Sequence, residues 1–373
     1  MRTLAVYLNL NSSCNLRCSY CFEGNMTFTT KTRLDPRTLS FIDRLLQSPA
    51  FRNNFEVLDL RLSGGEPTLS PADIISIVRR YRLDPVCFTI KTNGYKIPDI
   101  LKEELILVRE QRLFDRPLIE THISYNGRES HDLTRPSAGG KTTSSEVRET
   151  LEWFVANEIP FYILMSLTME TISMLFDSYK ELNEFSTAPS LVERSCYPIF
   201  NYLEGQTLSQ IDREALVLNL KKIAALILRE KSRGRTPLNF DWFNANAITR
   251  CGAGASNFSI DTDGSIYPCY LCAYDNEKAQ HLLGDVTSDF ETILKAGEKY
   301  VALAQKPLAG PCSSCNVSFC NRCPAARFKT SSKTGYDERW TDYSSSSAAC
   351  EISSIVDLVA RAFRRLDGQD AVH

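Results

Sequence analysis

Short apolar runs alternate with amphipathic stretches from residue 4 to about 235, the pattern of repeated strand–helix units and a mainly parallel sheet. Strands are predicted at 4–10, 57–62, 86–91, 119–124, 161–168 and 194–200, most of them ending in Gly, Asn, Ser or Thr. Helical periodicity fills the gaps at 35–47, 71–82, 98–111, 144–156 and 171–184, where Asp35-Pro36 and Ser70-Pro71 read as cap-then-proline starts. Six strands in this order predict a partial barrel. A long helical pattern at 209–232 closes this half, and 232–237 reads as a linker. Periodicity then fades between 241 and 350, apart from a helix near 290–304, and an amphipathic helix at 351–366 ends in a frayed tail at His373. The expected division is therefore 1–235, 236–350 and 351–373.

Composition narrows the classes. The 373 residues carry 43 basic and 45 acidic side chains, for a net charge of -2, and 43% hydrophobic residues, an ordinary globular balance. No apolar run approaches the roughly 20 residues of a spanning helix, and the first ten residues do not make a signal peptide, so a cytoplasmic location is expected. No block of like charge makes a case for nucleic acid or membrane binding.

Cysteine is the abnormal component, at 13 residues, eight of them between 241 and 350. In a reducing compartment an odd count in a long chain argues for metal or cluster ligation over disulfides. Cys14, Cys18 and Cys21 form C-x3-C-x2-C directly after the first strand, gathering three thiols on one loop at a strand's carboxyl end, where α/β folds place ligands. Three thiolates on a four-iron cluster leave one iron open to a substrate or cofactor, whereas a zinc knuckle would use the same spacing structurally. The second strand runs into Ser63-Gly64-Gly65-Glu66-Pro67. There two glycines permit a close backbone approach to a ligand and Glu66 offers an anionic acceptor suited to an amine; taken alone, a plain Gly-Gly turn with a surface Glu explains it as well. Thr92-Asn93-Gly94 ends the third strand, and Ser124-Tyr125-Asn126-Gly127 the fourth, with His131-Asp132 and Arg135 beyond. Such strand ends ring one site at the top of a barrel.

Together Cys14-Asn15-Leu16-Arg17-Cys18-Ser19-Tyr20-Cys21, Gly64 to Pro67, Thr92 to Gly94 and Ser124 to Gly127 resemble the radical S-adenosylmethionine superfamily in order and spacing. The resemblance implies a partial (β/α)6 barrel with a 4Fe-4S cluster on Cys14, Cys18 and Cys21, whose open iron binds the amine and carboxylate of S-adenosylmethionine. It places the methionyl amine against Gly64, Gly65, Glu66 and Pro67, adenine near Tyr20, and the ribose and carboxylate side near Ser124 and Arg135, with Asn93 also at the cofactor. Asn126 stands where relatives have Asp. The second half resembles the SPASM extension, a small irregular iron–sulfur domain followed here by the C-terminal helix. Its order implies Cys251, Cys269 and Cys323 on auxiliary cluster I, with Cys272 as fourth ligand or left free, and Cys312, Cys315, Cys320 and Cys350 on auxiliary cluster II. Shortened gaps leave Cys320 and Cys323 free to exchange roles. Eleven ligands for three 4Fe-4S clusters leave Cys87 and Cys196 as buried hydrophobes. A pair of zinc ribbons is the alternative for this half.

The family resemblance implies an oxidative modification of a ribosomally made peptide or protein, first a C–C, C–O or thioether crosslink and, behind it, formylglycine formation or epimerisation. It also implies an external electron donor such as flavodoxin or ferredoxin. Anaerobic sulfatase maturases are the relatives that length and cluster count indicate, yet they place an Asp base after the second SPASM cysteine, where this chain has Tyr270, a poor base at neutral pH. With Cys14 so near the start, the roughly 90-residue leader-recognition domain of some relatives finds no place before it, and a separate leader-recognition protein is one expected partner. The rival readings are oxidation of a small molecule and a non-catalytic iron–sulfur or zinc scaffold. Tyr197, Asp241, Trp242 and Tyr270 are near-pocket candidates without an assigned role, and the catalytic base is unassigned.

Overall fold

The computed structural model describes residues 1–21, 33–200, 207–243, 252–274, 278–305, 315, 317 and 348–368. Its strands are β1 (Thr3–Asn9), β2 (Val57–Ser63), β3 (Val86–Thr92), β4 (Arg112–Leu113), β5 (Arg116–Pro117), β6 (Ile119–Ser124), β7 (Phe161–Leu167), β8 (Leu191–Phe200), β9 (Asn239–Phe240), β10 (Asn257–Ile260), β11 (Ser265–Tyr267) and β12 (Gly284–Asp285). Apart from a small β4–β5 hairpin they form one sheet in the order β12-β11-β10-β1-β2-β3-β6-β7-β8-β9, parallel from β10 to β9. The six expected strands appear in sequence as the parallel sheet of a partial barrel.

Alternation along each strand sorts the side chains. Leu58, Leu60, Leu62, Phe88 and Ile90 point to the helix-covered face and are buried. Helix Pro71–Tyr81 packs Ile74, Ile77 and Val78 there, and helix Ser144–Ala156 adds Val147, Leu151 and Phe154. Each such side chain contributes about 1.5–3 kcal/mol. The opposite face carries Tyr7, Asp59, Arg61, Thr89, Lys91, Glu120 and His122, and this polar interior is what a barrel lumen built for chemistry requires.

Three features go beyond the predicted elements. Past the expected linker the sheet continues: β9 pairs with β8, and β10 pairs parallel with β1, Ala5 opposite Asn257 through Leu8 opposite Ile260. A helix at Arg128–Thr134 follows β6. The pattern at 171–184 resolves into a 3-10 turn, Met169–Met174, and helix Leu175–Leu182. The long helix Gln210–Ser232 starts at a capping box made by Ser209 and Asp212. Helix Ala348–Leu366 lies against it, with Arg213–Glu351 and Lys231–Asp367 ion pairs, and against the 3-10 turn Asp241–Phe243 through a stacked Phe243–Phe363 contact at 4.8 Å. Among the described residues no helix is long and apolar enough to cross a membrane.

Candidate active site

The loop after β1 holds Cys14, Cys18 and Cys21, half-buried, half-buried and exposed. Two segments stitch it down. On one side Arg17 N and Ser19 N donate to Pro136 O and Thr134 O, and Ala138 N donates to Asn15 O, all at 2.8–2.9 Å. On the other, Gly65 N donates to Asn11 O (2.9 Å) and Glu66 N to Ser13 O (2.7 Å). The two glycines are therefore required by a close approach, but of this chain's own loop: a Cβ on Gly64 would lie 2.3 Å from Asn11 O, and one on Gly65 2.4 Å from Ser13 O.

Glu66 is buried and committed to its neighbours. Its Oε1 accepts from Thr68 N (3.0 Å), Thr68 Oγ1 (2.7 Å) and Thr92 Oγ1 (2.7 Å), and Oε2 from Asn93 N (2.8 Å), which leaves capacity for another donor only on Oε2. Burial raises its pKa, and those hydrogen bonds oppose the shift. Pro67 opens the short turn Pro67–Leu69. Asn93 donates to Asn15 Oδ1 at 2.7 Å and reaches Cys14 Sγ at 3.8 Å, tying the end of β3 to the cysteine loop. Ser124 sits half-buried at the end of β6.

Arg135 is buried beneath the loop. Its Nη1 donates to Tyr20 Oη at 2.7 Å, and its guanidinium lies 6.0 Å from the Tyr20 ring. Its Nε has no partner. Burial disfavours its charge, while Cys18, Tyr20 and Cys14 favour it and carry its pKa upward. Asn126, left without a role by the sequence, is the knot of this region: Nδ2 donates to Tyr20 Oη and Thr134 Oγ1, each at 3.2 Å, and Oδ1 accepts from Ser166 N at 2.8 Å. Thr134 Oγ1 already gives its proton to Ser130 O, so position 126 must supply a donor there, which an Asp carboxylate does not. Asp132 caps helix Ser144–Ala156 through Ser144 N and Oγ, a structural role.

Among the described residues no three His, Cys, Asp or Glu side chains stand together as a finished metal cage. The donor set and its surroundings nevertheless fit an iron–sulfur cluster with an anionic ligand. Three thiols share a fixed loop, and a buried guanidinium with an unpaired N–H lies within their field. In the bare chain burial pushes the Cys14 thiol up to about 12, so the thiolate form needs a metal's charge.

In the second half Cys269 and Cys272 are buried with their sulfurs 3.6 Å apart, and the Cys272 thiol lowers the pKa of Cys269. Two thiolates on one tetrahedral metal at about 2.3 Å stand about 3.8 Å apart, so the spacing as it stands is that of two ligands on a single ion, as in a zinc ribbon; a 4Fe-4S cluster takes one thiolate per iron and needs the two sulfurs farther apart. Cys315 is exposed and Cys350 half-buried at the start of the final helix. Cys251, Cys312, Cys320 and Cys323 lie outside the described residues. Cys87 is a buried β3 residue, as expected of a hydrophobe, and the side chains of Cys196 and Tyr197 lie outside the described set. Of the remaining candidates, Trp242 packs edge-on against Phe240, Asp241 accepts from Tyr162 Oη, and Tyr270 lies 4.9 Å from the Tyr7 ring.

Residues 8–182 match the radical SAM superfamily, and residues 251–316 match SPASM, an iron–sulfur cluster-binding domain. The chain is 24% identical over 307 residues to a cysteine-type anaerobic sulfatase-maturating enzyme of Clostridium novyi (strain NT), covering 76% of this chain and 77% of that one. A probable GTP 3',8-cyclase of Thermococcus kodakarensis is 28% identical over 95 residues, which is 26% of this chain and only 29% of the cyclase. The solved structure of native anSMEcpe with bound AdoMet and Cp18Cys peptide matches over 100% of both chains, with a TM-score of 0.73 at 19% identity. Streptococcus suis SuiB bound to precursor peptide SuiA matches over 93% of this chain and 75% of SuiB, with a TM-score of 0.63 at 15% identity. At these identities the two structures show a common fold.

Proposed function

We propose, from the match of residues 8–182 to the radical SAM superfamily and of residues 251–316 to the SPASM iron–sulfur domain, that the chain is a radical S-adenosylmethionine maturase that oxidatively modifies a residue of a peptide or protein. The observation that carries this is the three-cysteine loop, pinned between Gly64-Gly65 and the Thr134 to Ala138 segment with Arg135 beneath it. The peptide class is supported by the sulfatase-maturating relative and by the shared fold with two peptide-bound enzymes.

In this reading Cys14, Cys18 and Cys21 hold a 4Fe-4S cluster that, with S-adenosylmethionine, supplies a 5'-deoxyadenosyl radical able to take a hydrogen atom from the substrate. Asn93 and Asn15 fix the loop from the β3 side. Glu66 Oε2 keeps acceptor capacity for the methionyl ammonium, with Gly64, Gly65 and Pro67 shaping the backbone around it. The unpaired Nε of Arg135 would donate to the cofactor's anionic side, and Tyr20, locked by Arg135 and Asn126, would lie against adenine. Ser124 borders the ribose. Cys269 and Cys272 would hold part of one auxiliary cluster together with Cys251 and Cys323, their sulfurs parting from 3.6 Å to take separate irons, while Cys312, Cys315, Cys320 and Cys350 would hold the other. The first 235 residues form the radical-generating unit and 236–350 the auxiliary one. Work of this kind belongs in the cytoplasm, beside a flavodoxin or ferredoxin.

Anaerobic reconstitution with iron and sulfide, followed by S-adenosylmethionine and a strong reductant, tests the reading. About twelve irons per chain and release of 5'-deoxyadenosine are expected. Zinc in place of iron, or no cleavage, overturns it.

A further inference from the structure

The lumen face of the sheet carries ionisable side chains that the cofactor site leaves unused. His122 on β6 lies one pleat below Ser124, with Lys91 of β3 and Tyr162 of β7 as its register neighbours. Its Nε2 is hydrogen-bonded to Glu120 Oε1, two residues back on the same face. Its Nδ1 is buried and has no partner. The Tyr162 ring lies 5.1 Å from the imidazole, and the Tyr162 hydroxyl is engaged with Asp241. On the far side Lys91 Nζ stands 5.2 Å from the Tyr7 ring, and Arg61 donates to Tyr7 Oη at 3.0 Å while bonding Asp59 at 3.0 Å. Arg116 also reaches Asp59, at 3.9 Å.

An imidazole oriented through one nitrogen by a carboxylate, with the other nitrogen unpaired, is the arrangement of a general base once a substrate reaches that nitrogen. The alternatives nearby are engaged: the Tyr7 oxygen already accepts from Arg61, and Asp241 accepts from Tyr162. We propose that His122, oriented by Glu120, accepts the proton that the substrate loses during its oxidation. This assignment rests on the oxidative maturase reading above. The balance is a two-electron oxidation. One substrate C–H gives its hydrogen atom to the 5'-deoxyadenosyl radical. The resulting carbon radical passes one electron to an oxidised iron–sulfur cluster of the SPASM region. The adjoining S–H or O–H gives its proton to His122 Nδ1, and a carbon–heteroatom double bond forms.

The surroundings keep the base in its neutral form. Burial holds the His122 pKa below its ordinary value. The Glu120 hydrogen bond and charge oppose this, while the Lys91 and Arg61 charges reinforce it. At pH 7 the unpaired nitrogen therefore carries a lone pair.

Two measurements test the proposal. The chain has only four histidines, so NMR of the metal-free protein with labelled histidine assigns His122 by its loss in His122→Gln. A neutral imidazole at pH 7, titrating below about 6.5, is expected, with Glu120→Gln moving it lower still. An imidazole that is cationic at pH 7, or one unmoved by Glu120→Gln, overturns the assignment. The second measurement gives the reconstituted enzyme a synthetic cysteinyl peptide deuterated at Cβ. In His122→Gln the product formed per deuterium transferred to 5'-deoxyadenosine should fall about a hundredfold, and in Glu120→Gln by less. An unchanged ratio, with both quantities lost together, marks a structural residue and overturns the proposal. If the wild-type enzyme moves no deuterium from this peptide, the peptide reading fails by itself, and the imidazole titration still decides the role of His122.

Discussion

At the residue scale most side chains of the site have their hydrogen-bonding capacity filled by neighbours, whereas His131 lacks a partner at both ring nitrogens. It is completely buried, and its ring lies 5.3 Å from that of Tyr125. Burial, reinforced by the Arg135 charge, holds its pKa well below the ordinary value. The sign of the linkage follows. Above the unfolded value of about 6.5 both states carry a neutral ring and the fold keeps its full stability. As pH falls below that value the unfolded chain binds a proton that the folded chain refuses, and stability declines. Phe at 131 keeps the ring contact and gives up no hydrogen bond. Denaturant titrations of the metal-free His131→Phe protein should therefore lose one proton's share of the acid slope between about pH 6 and 5, roughly 1.4 kcal/mol per pH unit. The same slope in variant and wild type would mean that His131 titrates normally and that its burial is relieved in solution.

At the element scale, what the sequence revealed and what it hid divide by range. The six barrel strands and the helices between them were legible because apolar periodicity is local: β6 and helix Ser144–Ala156 occupy the predicted residues. The cysteine loop was legible because its spacing is local too. The four residues of β10 were hidden, since they become a strand only by pairing with β1, some 250 residues earlier. Register hid the working details of the site: the Asn126 knot and the unpaired nitrogen of His122 exist only once β6 is aligned between β3 and β7. Helix Phe290–Gln305 shows the same dependence. A Cβ on Gly297 would lie 2.0 Å from Gly254 O, and Gly254 itself has φ +73°. Helix propensity favours Ala over Gly by about 1 kcal/mol, so on local grounds Gly297→Ala stabilises. Packing requires the opposite, and thermal unfolding should show a loss of more than about 2 kcal/mol. Gly140→Ala, in open space at φ +78°, should cost only the backbone strain of about 1–2 kcal/mol. A stabilised Gly297→Ala would mean that the helix does not press on the Gly254 turn.

At the scale of the whole molecule, β1 joins the two halves. One edge pairs with β2, whose end supplies Gly64 and Gly65, and the other pairs with β10, which leads through β11 to Cys269. Tyr7 in the lumen and Tyr270 beside Cys269 meet across this junction at 4.9 Å. The halves are thus continuous in the sheet, yet they are anchored separately: the Cys14 loop is held by Gly65, Glu66 and the Thr134 to Ala138 segment, and none of those bonds comes from β10 or beyond. Replacing both Cys269 and Cys272 with Ala should therefore remove about four of about twelve irons and leave the rest in place. Cleavage of S-adenosylmethionine should persist, because the residues that would hold it lie in the first half. Product should disappear, because the electron released by the substrate radical has lost its acceptor. Iron counting and the ratio of product to 5'-deoxyadenosine read these outcomes independently. If all the iron is lost at once, the β1–β10 pairing carries the stability of both sites, and the two halves form a single cooperative unit. If iron falls by four while product survives, the electron leaves by a route that does not pass Cys269 and Cys272.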